Sequence, residues 1–381
     1  MIIQHEGPWS LNSFAGRYAF DNSTGWLTAG DERVGHFICD RIQSSKLQLP
    51  SSFSKLTSMN LRILSSEIMA EIHKEANHGA LFVIPSQFNG AEYPYHTDIV
   101  FKVEDYKHDN SSGPRAQLAG HPAVAQFILD NAANIRRPTG GINALRELLM
   151  SLPEFDLMNG YLKITEGVNQ EEVLRRLQDQ LHVLRPLVME AVPVKGLTPD
   201  QRGIAKGKHR VGFVYASAVP VDSYLNREGD SKFQSAVAEL FLVAQYYGAL
   251  RYAAQAELAQ KNEVKTKPRK VFLMPLGTGV FHNSWEVIAR SMAKAIQMLD
   301  DDLLALLEVT ALARQGNPSD PCMKHALRRR TKEEMKLREI FYQLNKYAPN
   351  ACASGLRGQA PQCEADDVMH GPRMKASKQP K

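Results

Sequence analysis

The chain has 381 residues, 43% of them hydrophobic and 23% charged, with 4 Cys and a formal net charge of +5. At about 100–200 residues per domain this suffices for one large domain or two ordinary ones. It excludes a disulfide-stapled miniprotein, because Cys39, Cys322, Cys352 and Cys363 are scattered without a CxxC pair, a pattern expected of a reducing compartment.

The charge is unevenly placed: from Cys322 onward 13 Lys/Arg face 6 Asp/Glu, whereas residues 1–321 hold 33 against 35. The basicity belongs to the tail, which argues against a nucleic-acid face on the body. No apolar run approaches the roughly 20 residues of a membrane span. The first residues lack a basic segment followed by an apolar one, so a cytoplasmic protein without a secretory signal is expected. Delivery into a host by a specialised secretion system would leave no such signal either.

Residues 1–50 are mixed, with turn signals at Gly7-Pro8, Asn22-Ser23 and Gly30-Asp31. Leu61, Leu64, Ile68 and Ile72 recur at helical spacing and predict a helix over 61–76. Residues 81–84 are a short apolar run between Gly79 and Pro85, the profile of a buried strand. Further strands are predicted at 99–103, 210–216, 270–276 and 303–312. Helices are predicted at 123–129, 169–189, 233–258 and 285–299, and 195–208 is predicted to be a Gly/Lys-rich surface connection.

Strands alternating with helices imply a three-layer α/β domain with a largely buried sheet. The expected division is 1–78 as an N-terminal extension packing on the core, 79–314 as the main domain with a helical insertion near 165–208, and 315–381 as a basic helix (about 323–346) with a disordered tail. That tail either solubilises the protein or meets an acidic partner.

The sharpest local feature is Val271 to Leu299, which reads strand, Gly-x-Gly loop, helix. Glycines let the backbone approach a ligand, and loop amides with a helix N-terminus favour an anion. Gly277, Thr278, Gly279, Val280 and Phe281 are therefore candidates for holding a phosphate or diphosphate. Asn283 is a further candidate for contacting that ligand, and Asn283 or Ser284 would cap the helix. A dinucleotide fingerprint would need a third glycine where His282 stands, and Gly203 to His209 is no Walker loop, since Lys208 lacks a following Ser or Thr.

Two polar loops lie upstream. Asn89, Gly90, Glu92 and Tyr93 follow a buried strand, at the end where open α/β sheets take ligands; Asn89-Gly90 is equally a turn. Asp109 to Ala119 is the second: Asp109 is the carboxylate suited to orienting water in a glycosidic cleavage, or else an Asx-turn residue. Gly113 with Ser111 and Ser112 offers amides. Arg115 reads as a phosphate ligand or an ion pair, and Asp98 as a second carboxylate or a base contact. His96, His108 and His121 lack HExxH spacing or Cys partners, so no metal site is expected. Ser217 and Asp222, leaving the strand at 210–216, would reach the same rim.

The string Val271 to Phe281, followed by a helix, resembles the second ligand loop of macrodomains. Residues 83–94 and 109–119 resemble a divergent macrodomain-like group that includes a Legionella effector acting on ADP-ribosylated ubiquitin. The likeness spans residues 80–313 and implies an α/β/α sandwich with a mixed sheet and helical additions.

It further implies ADP-ribose, or an ADP-ribosylated protein, as ligand or substrate, with no cofactor. Gly277 to Phe281 would wrap the diphosphate, Asn89 with Glu92 would meet the distal ribose, and Asp109 would place the attacking water. The implied activity is (ADP-ribosyl) hydrolysis; a non-catalytic reader and a dinucleotide-dependent oxidoreductase are the alternatives. Ser111-Ser112-Gly113 departs from the triple glycine common at that loop. Asn131-Ala132-Ala133-Asn134 with Gly140-Gly141 also spells a macrodomain motif, but the helical spacing before it reads as a helix end.

Overall fold

A computed structural model describes residues 2–6, 17–43, 45–50, 61–200, 203–205, 207–227, 229–260, 267–313 and 339. The chain divides into two compact units, 1–349 and 350–381. The second unit lies outside the described residues, and so does the expected basic helix at 323–346 apart from Glu339.

The strands are β1 (Ile2–Glu6), β2 (Arg17–Asp21), β3 (Trp26–Ala29), β4 (Glu32–Ile38), β5 (Leu61–Ser65), β6 (Leu81–Pro85), β7 (Phe155–Met158), β8 (Tyr161–Ile164), β9 (Leu187–Pro193), β10 (Arg210–Ala216), β11 (Arg269–Leu273) and β12 (Leu307–Ala313). The helices are α1 (Ile68–Ile72), α2 (Ser112–Ala119), α3 (Pro122–Asn131), α4 (Arg146–Ser151), α5 (Gln170–Gln180), α6 (Ser231–Ala259), α7 (Trp285–Gln297) and α8 (Asp301–Leu304). Ten strands form one sheet in the order β1-β2-β3-β4-β9-β10-β6-β11-β12-β5, and β7-β8 is a separate hairpin. From β10 to β5 the pairing is parallel, and from β10 to β1 it is antiparallel. The sheet is therefore mixed.

Strand β6 sits mid-sheet, and its residues Leu81 to Ile84 have no exposed surface, as a strand covered on both faces requires. Side chains alternate across a strand, and neighbouring Phe213 and Gly212 on β10 mark the two faces. A side chain at Gly120, between α2 and α3, would meet the Phe213 ring, while Gly212 lies against Glu190. Tyr252 of α6 lies beside that same Glu190. Helices α2 and α3 thus cover one face and α6, with α7 packed on it, the other. The result is a three-layer α/β/α sandwich.

Several expected elements differ. Residues 61–76 are not one helix: Leu61–Ser65 pairs in parallel with β12 as an edge strand, and the helix starts only after Glu67, whose carboxylate accepts from Ala70 N at 3.0 Å. Residues 99–103 are not a strand. The Gln126 side chain takes their backbone instead, accepting from Val103 N at 3.2 Å and donating to Phe101 O at 2.8 Å.

The helix expected over 169–189 ends at Gln180. Pro186 disfavours helix before it, and the chain re-enters the sheet as β9, so the segment read as a helical insertion near 165–208 also contributes a central strand. The last strand begins at Leu307, after α8. The remaining expected strands and helices fall where the pattern put them, within a few residues at the ends. No helix among the described residues is long and apolar enough to cross a membrane.

Candidate active site

Three parallel strands, β6, β10 and β11, end at one place: Pro85, Ala216 and Met274 all line a cleft of about 440 Å³. Carboxyl ends of parallel strands are where open α/β sheets bind ligands, and the volume suits a molecule of nucleotide size. Glu92, Asp109, Ser111, Ser112 and Gly113 line it. So do Gly277, Thr278, Gly279, Val280, Phe281 and Trp285, together with Tyr161 and Tyr224.

Helix α6 sets the position of both exits. Tyr246 donates its hydroxyl hydrogen to Met274 O at 2.7 Å and accepts from Leu276 N at 3.1 Å. Its neighbour Gln245 accepts from Ser217 N at 2.7 Å and donates back to Ser217 O. One turn of buried helix thereby holds the ends of β10 and β11. The two exit loops are also joined to each other, by Asn283 Nδ2 to Val219 O at 2.9 Å and Val221 N to Phe281 O at 2.8 Å.

The loop itself is built to present amides. Gly277 has φ +77°, and a side chain there would strike Ala218 and Asn283, whereas Gly279 opens to empty space. Among the described residues no protein acceptor takes the N–H groups of Gly277, Thr278, Gly279, Val280 or Phe281. Ser284 caps the following helix α7, accepting from Val287 N at 3.2 Å. Helix α2 also starts at the cleft. Five free amides and two helix N-termini make the cleft attractive to anions.

Glu92 lines the same cleft. Removal from water, with the Asp109 carboxylate adding to it, pushes its pKa up to about 8. Its backbone N–H donates to the buried Tyr106 hydroxyl at 2.8 Å. Asp109 accepts from Ser111 N at 2.7 Å, so it shapes an Asx turn while facing the cleft. The aromatic wall is continuous, with Tyr161 and Tyr224 stacked at 5.3 Å and Phe281 edge-on to both. Three non-glycine residues beside the cleft, Asp222, Tyr224 and His282, hold left-handed φ values of 50–57°.

The cleft thus gathers Glu92, Asp109, Gly113, Gly277, Thr278, Gly279, Val280 and Phe281. Other candidates lie elsewhere. Asn89 has no exposed surface; its amide donates to Ala133 O at 2.7 Å and accepts from Ala91 N at 3.0 Å, which makes it a tie between loops. Gly90, φ +82°, completes that turn. Arg115 is taken by Glu67 at 3.1 Å and Pro199 O at 3.2 Å, the ion-pair alternative. Asp98 belongs to an exposed turn whose carbonyl receives Asn159 Nδ2 at 2.9 Å. Asn283 is buried behind the loop rather than on it. Ser217 and Asp222 are likewise absent from the lining. His121 caps α3 by accepting from Ala123 N at 3.2 Å, and burial lowers its pKa to about 4.

Tyr161 and the brace Gln245-Tyr246 escaped the sequence reading. Tyr161 had a readable signal: Asn159-Gly160, both left-handed, is the hairpin-turn dipeptide, and it delivers Tyr161 to the cleft. Gln245 and Tyr246 sit within an apolar helix and have no local signature.

No family model matches the sequence, and no curated protein matches it. Among solved structures the chain is similar to a poly(ADP-ribose) glycohydrolase from Deinococcus radiodurans in complex with ADP-ribose (13% identity, 73% of this chain and 86% of that one, TM-score 0.38). It is also similar to the enzyme from Thermomonospora curvata (12%, 74% and 80%, TM-score 0.39) and to that enzyme bound to the inhibitor ADP-HPD (12%, 71% and 79%, TM-score 0.38). At such identities and scores the chemistry of this chain has to be read from its own cleft.

Proposed function

We propose that the cleft binds ADP-ribose and that the protein is a macrodomain-like hydrolase removing ADP-ribose from a modified protein. The observation that carries this reading is that one cleft is lined by both the five free amides of Gly277 to Phe281 and the Glu92–Asp109 carboxyl pair. A diphosphate suits the amides and the α7 N-terminus, and the aromatic wall suits the flat and apolar parts of a nucleoside. The distal ribose then reaches the carboxyl pair.

Cleavage of an N- or O-glycosidic bond passes through an oxocarbenium-like state. Glu92, protonated near neutrality, gives its proton to the leaving atom as the bond to the anomeric carbon breaks. Asp109 faces the positive charge that develops, orients the water whose oxygen bonds to that carbon and accepts the proton that this water loses; a proton from solvent then restores Glu92. Water is the only co-substrate.

The likeness of residues 83–94 and 109–119 to the divergent macrodomain-like group supports the same reading and makes ADP-ribosylated ubiquitin the first substrate to try. A reducing, cytoplasmic setting, in the producing cell or a host, fits the scattered cysteines.

One observation favours a second reading. Asp109 already accepts from Ser111 N, and a carboxylate confined to that turn would leave a reader that binds without cleaving. Calorimetry with ADP-ribose tests binding, and no heat at millimolar ligand rejects both readings. Release of ADP-ribose by the wild type, lost in Asp109→Ala with affinity retained, establishes the enzyme. Binding without release on any modified protein establishes the reader.

A further inference from the structure

Seven large apolar residues are exposed among the described residues, and three of them, Tyr95 (59%), Phe101 (51%) and Ile135 (48%), fall in one cluster held by hydrogen bonds and by the Arg136 guanidinium over the Phe101 ring. Its centre is Asn159, buried and left-handed at φ +50°. Asn159 Nδ2 donates to Asp98 O at 2.9 Å, and its Oδ1 accepts from Ile135 N at 2.7 Å. Asp98 N closes a turn onto Tyr95 O at 3.1 Å. Gln126 fixes Phe101 through its carbonyl, and the Arg136 guanidinium lies over the Phe101 ring at 4.8 Å. Exposed rings ordinarily sit on mobile loops; these are anchored from beneath by buried amides.

The cluster adjoins the cleft. Tyr95 is three residues beyond Glu92 and within electrostatic reach of Tyr224 in the aromatic wall. Asn159 also heads the hairpin that delivers Tyr161 to the cleft. Val280, exposed by 61%, adds an apolar residue to the lining of the cleft.

We infer that Tyr95, Phe101 and Ile135 form a docking platform for the polypeptide that carries the ADP-ribose, contacting an apolar patch on that protein. This rests on the function proposed above and deepens it. If the scissile bond lies at Glu92, the modified protein leaves the cleft at the lip that Glu92 occupies, and the next exposed surface along that lip is the segment from Tyr95 to Phe101. A bilayer surface would call for a basic cluster around the rings. The charged groups beside these residues are mixed in sign, with Lys102, Arg136 and Arg137 against Asp98, Glu104 and Asp105.

The test uses the full chain and a variant with Tyr95→Ser, Phe101→Ser and Ile135→Ser, all three exposed positions. Affinity is measured for free ADP-ribose and for a panel of proteins ADP-ribosylated on Ser, Glu or Arg, ubiquitin included. The expected result is that one modified protein binds the wild type at least tenfold more tightly than free ADP-ribose does. The triple variant abolishes that gain while its ADP-ribose affinity stays within twofold.

Equal affinity for free and protein-linked ligand across the panel overturns the platform, as does a gain the triple variant keeps. A wild-type dimer in sedimentation that the variant loses assigns the surface to a second copy and also overturns it. Absence of any ADP-ribose binding is a separate result, and it rejects the function on which the platform rests.

Discussion

A methyl group built on Gly113 would lie 2.4 Å from Oε1 of Glu92 and 2.5 Å from the carbonyl oxygen of Pro85. The carboxyl group and the first turn of α2 therefore share a space that only a bare α-carbon leaves open. Gly113→Ala is expected to displace Glu92 and to lower ADP-ribose release at least tenfold. Because the added carbon would also meet the Pro85 carbonyl, a backbone atom that cannot swing aside, a loss of stability is expected beside the loss of turnover. Initial rates with melting curves on the same preparation separate the two.

Glu92 also sets a pH dependence. With a pKa of about 8, the proton-donating form predominates at neutrality, so the rate should be flat up to about pH 7 and fall through pH 8. Glu92→Gln should lower kcat by roughly 10²–10⁴ and remove that limb. Stability follows the same proton. The folded protein holds it more tightly than the unfolded chain, so the contribution is complete below the ordinary value of 4.5 and is lost as pH rises through about 8. Glu92→Gln should accordingly melt higher than wild type at pH 9, with no such gain at pH 4.

Removing the neighbouring charge acts on the limb indirectly. Asp109 is the second cause of the raised Glu92 pKa, after burial. Asp109→Asn should move whatever alkaline limb remains toward lower pH, and a limb that stays in place would show that burial alone sets it.

The loop glycines should separate folding from binding. Gly277→Ala meets Ala218 at 2.5 Å and needs φ +77°, so a destabilisation of about 1–3 kcal/mol is expected. Gly279 has nothing within 4 Å of a β-carbon. Gly279→Asp should melt like wild type yet bind ADP-ribose at least tenfold more weakly, since its carboxylate occupies the anion's place.

Asn89→Ala tests the reassignment of that residue. Loss of its amide leaves Ala133 O and Ala91 N without their partner, at a cost of about 1–3 kcal/mol. ADP-ribose affinity should not change.

What could be read in advance follows from how local each signal is. The Gly277 loop was legible because strand, glycines and helix cap are contiguous, Glu92 because it follows a strand that ends at the cleft, and Asp109 because it opens the polar stretch through Ser111, Ser112 and Gly113. Asn89 misled because an asparagine after a strand can face a ligand or tie a loop, and the decision lies with Ala133, 44 residues away. Arg115 misled for the same reason, its partner Glu67 being 48 residues distant. In the fold, residues 61–65 carried apolar spacing compatible with a helix. Only the presence of β12, far along the chain, makes them a strand.

The left-handed backbone at Asp222, Tyr224 and His282 has a practical bearing. Each such residue carries about 1–3 kcal/mol of conformational strain, so anyone seeking a hardier protein would find these positions among the most tempting for replacement by glycine or asparagine. Relieving them should raise the melting temperature and at the same time loosen the loops that frame the cleft. Heat tolerance and the shape of the cleft would then trade against each other at three backbone angles, with neither Glu92 nor Asp109 altered.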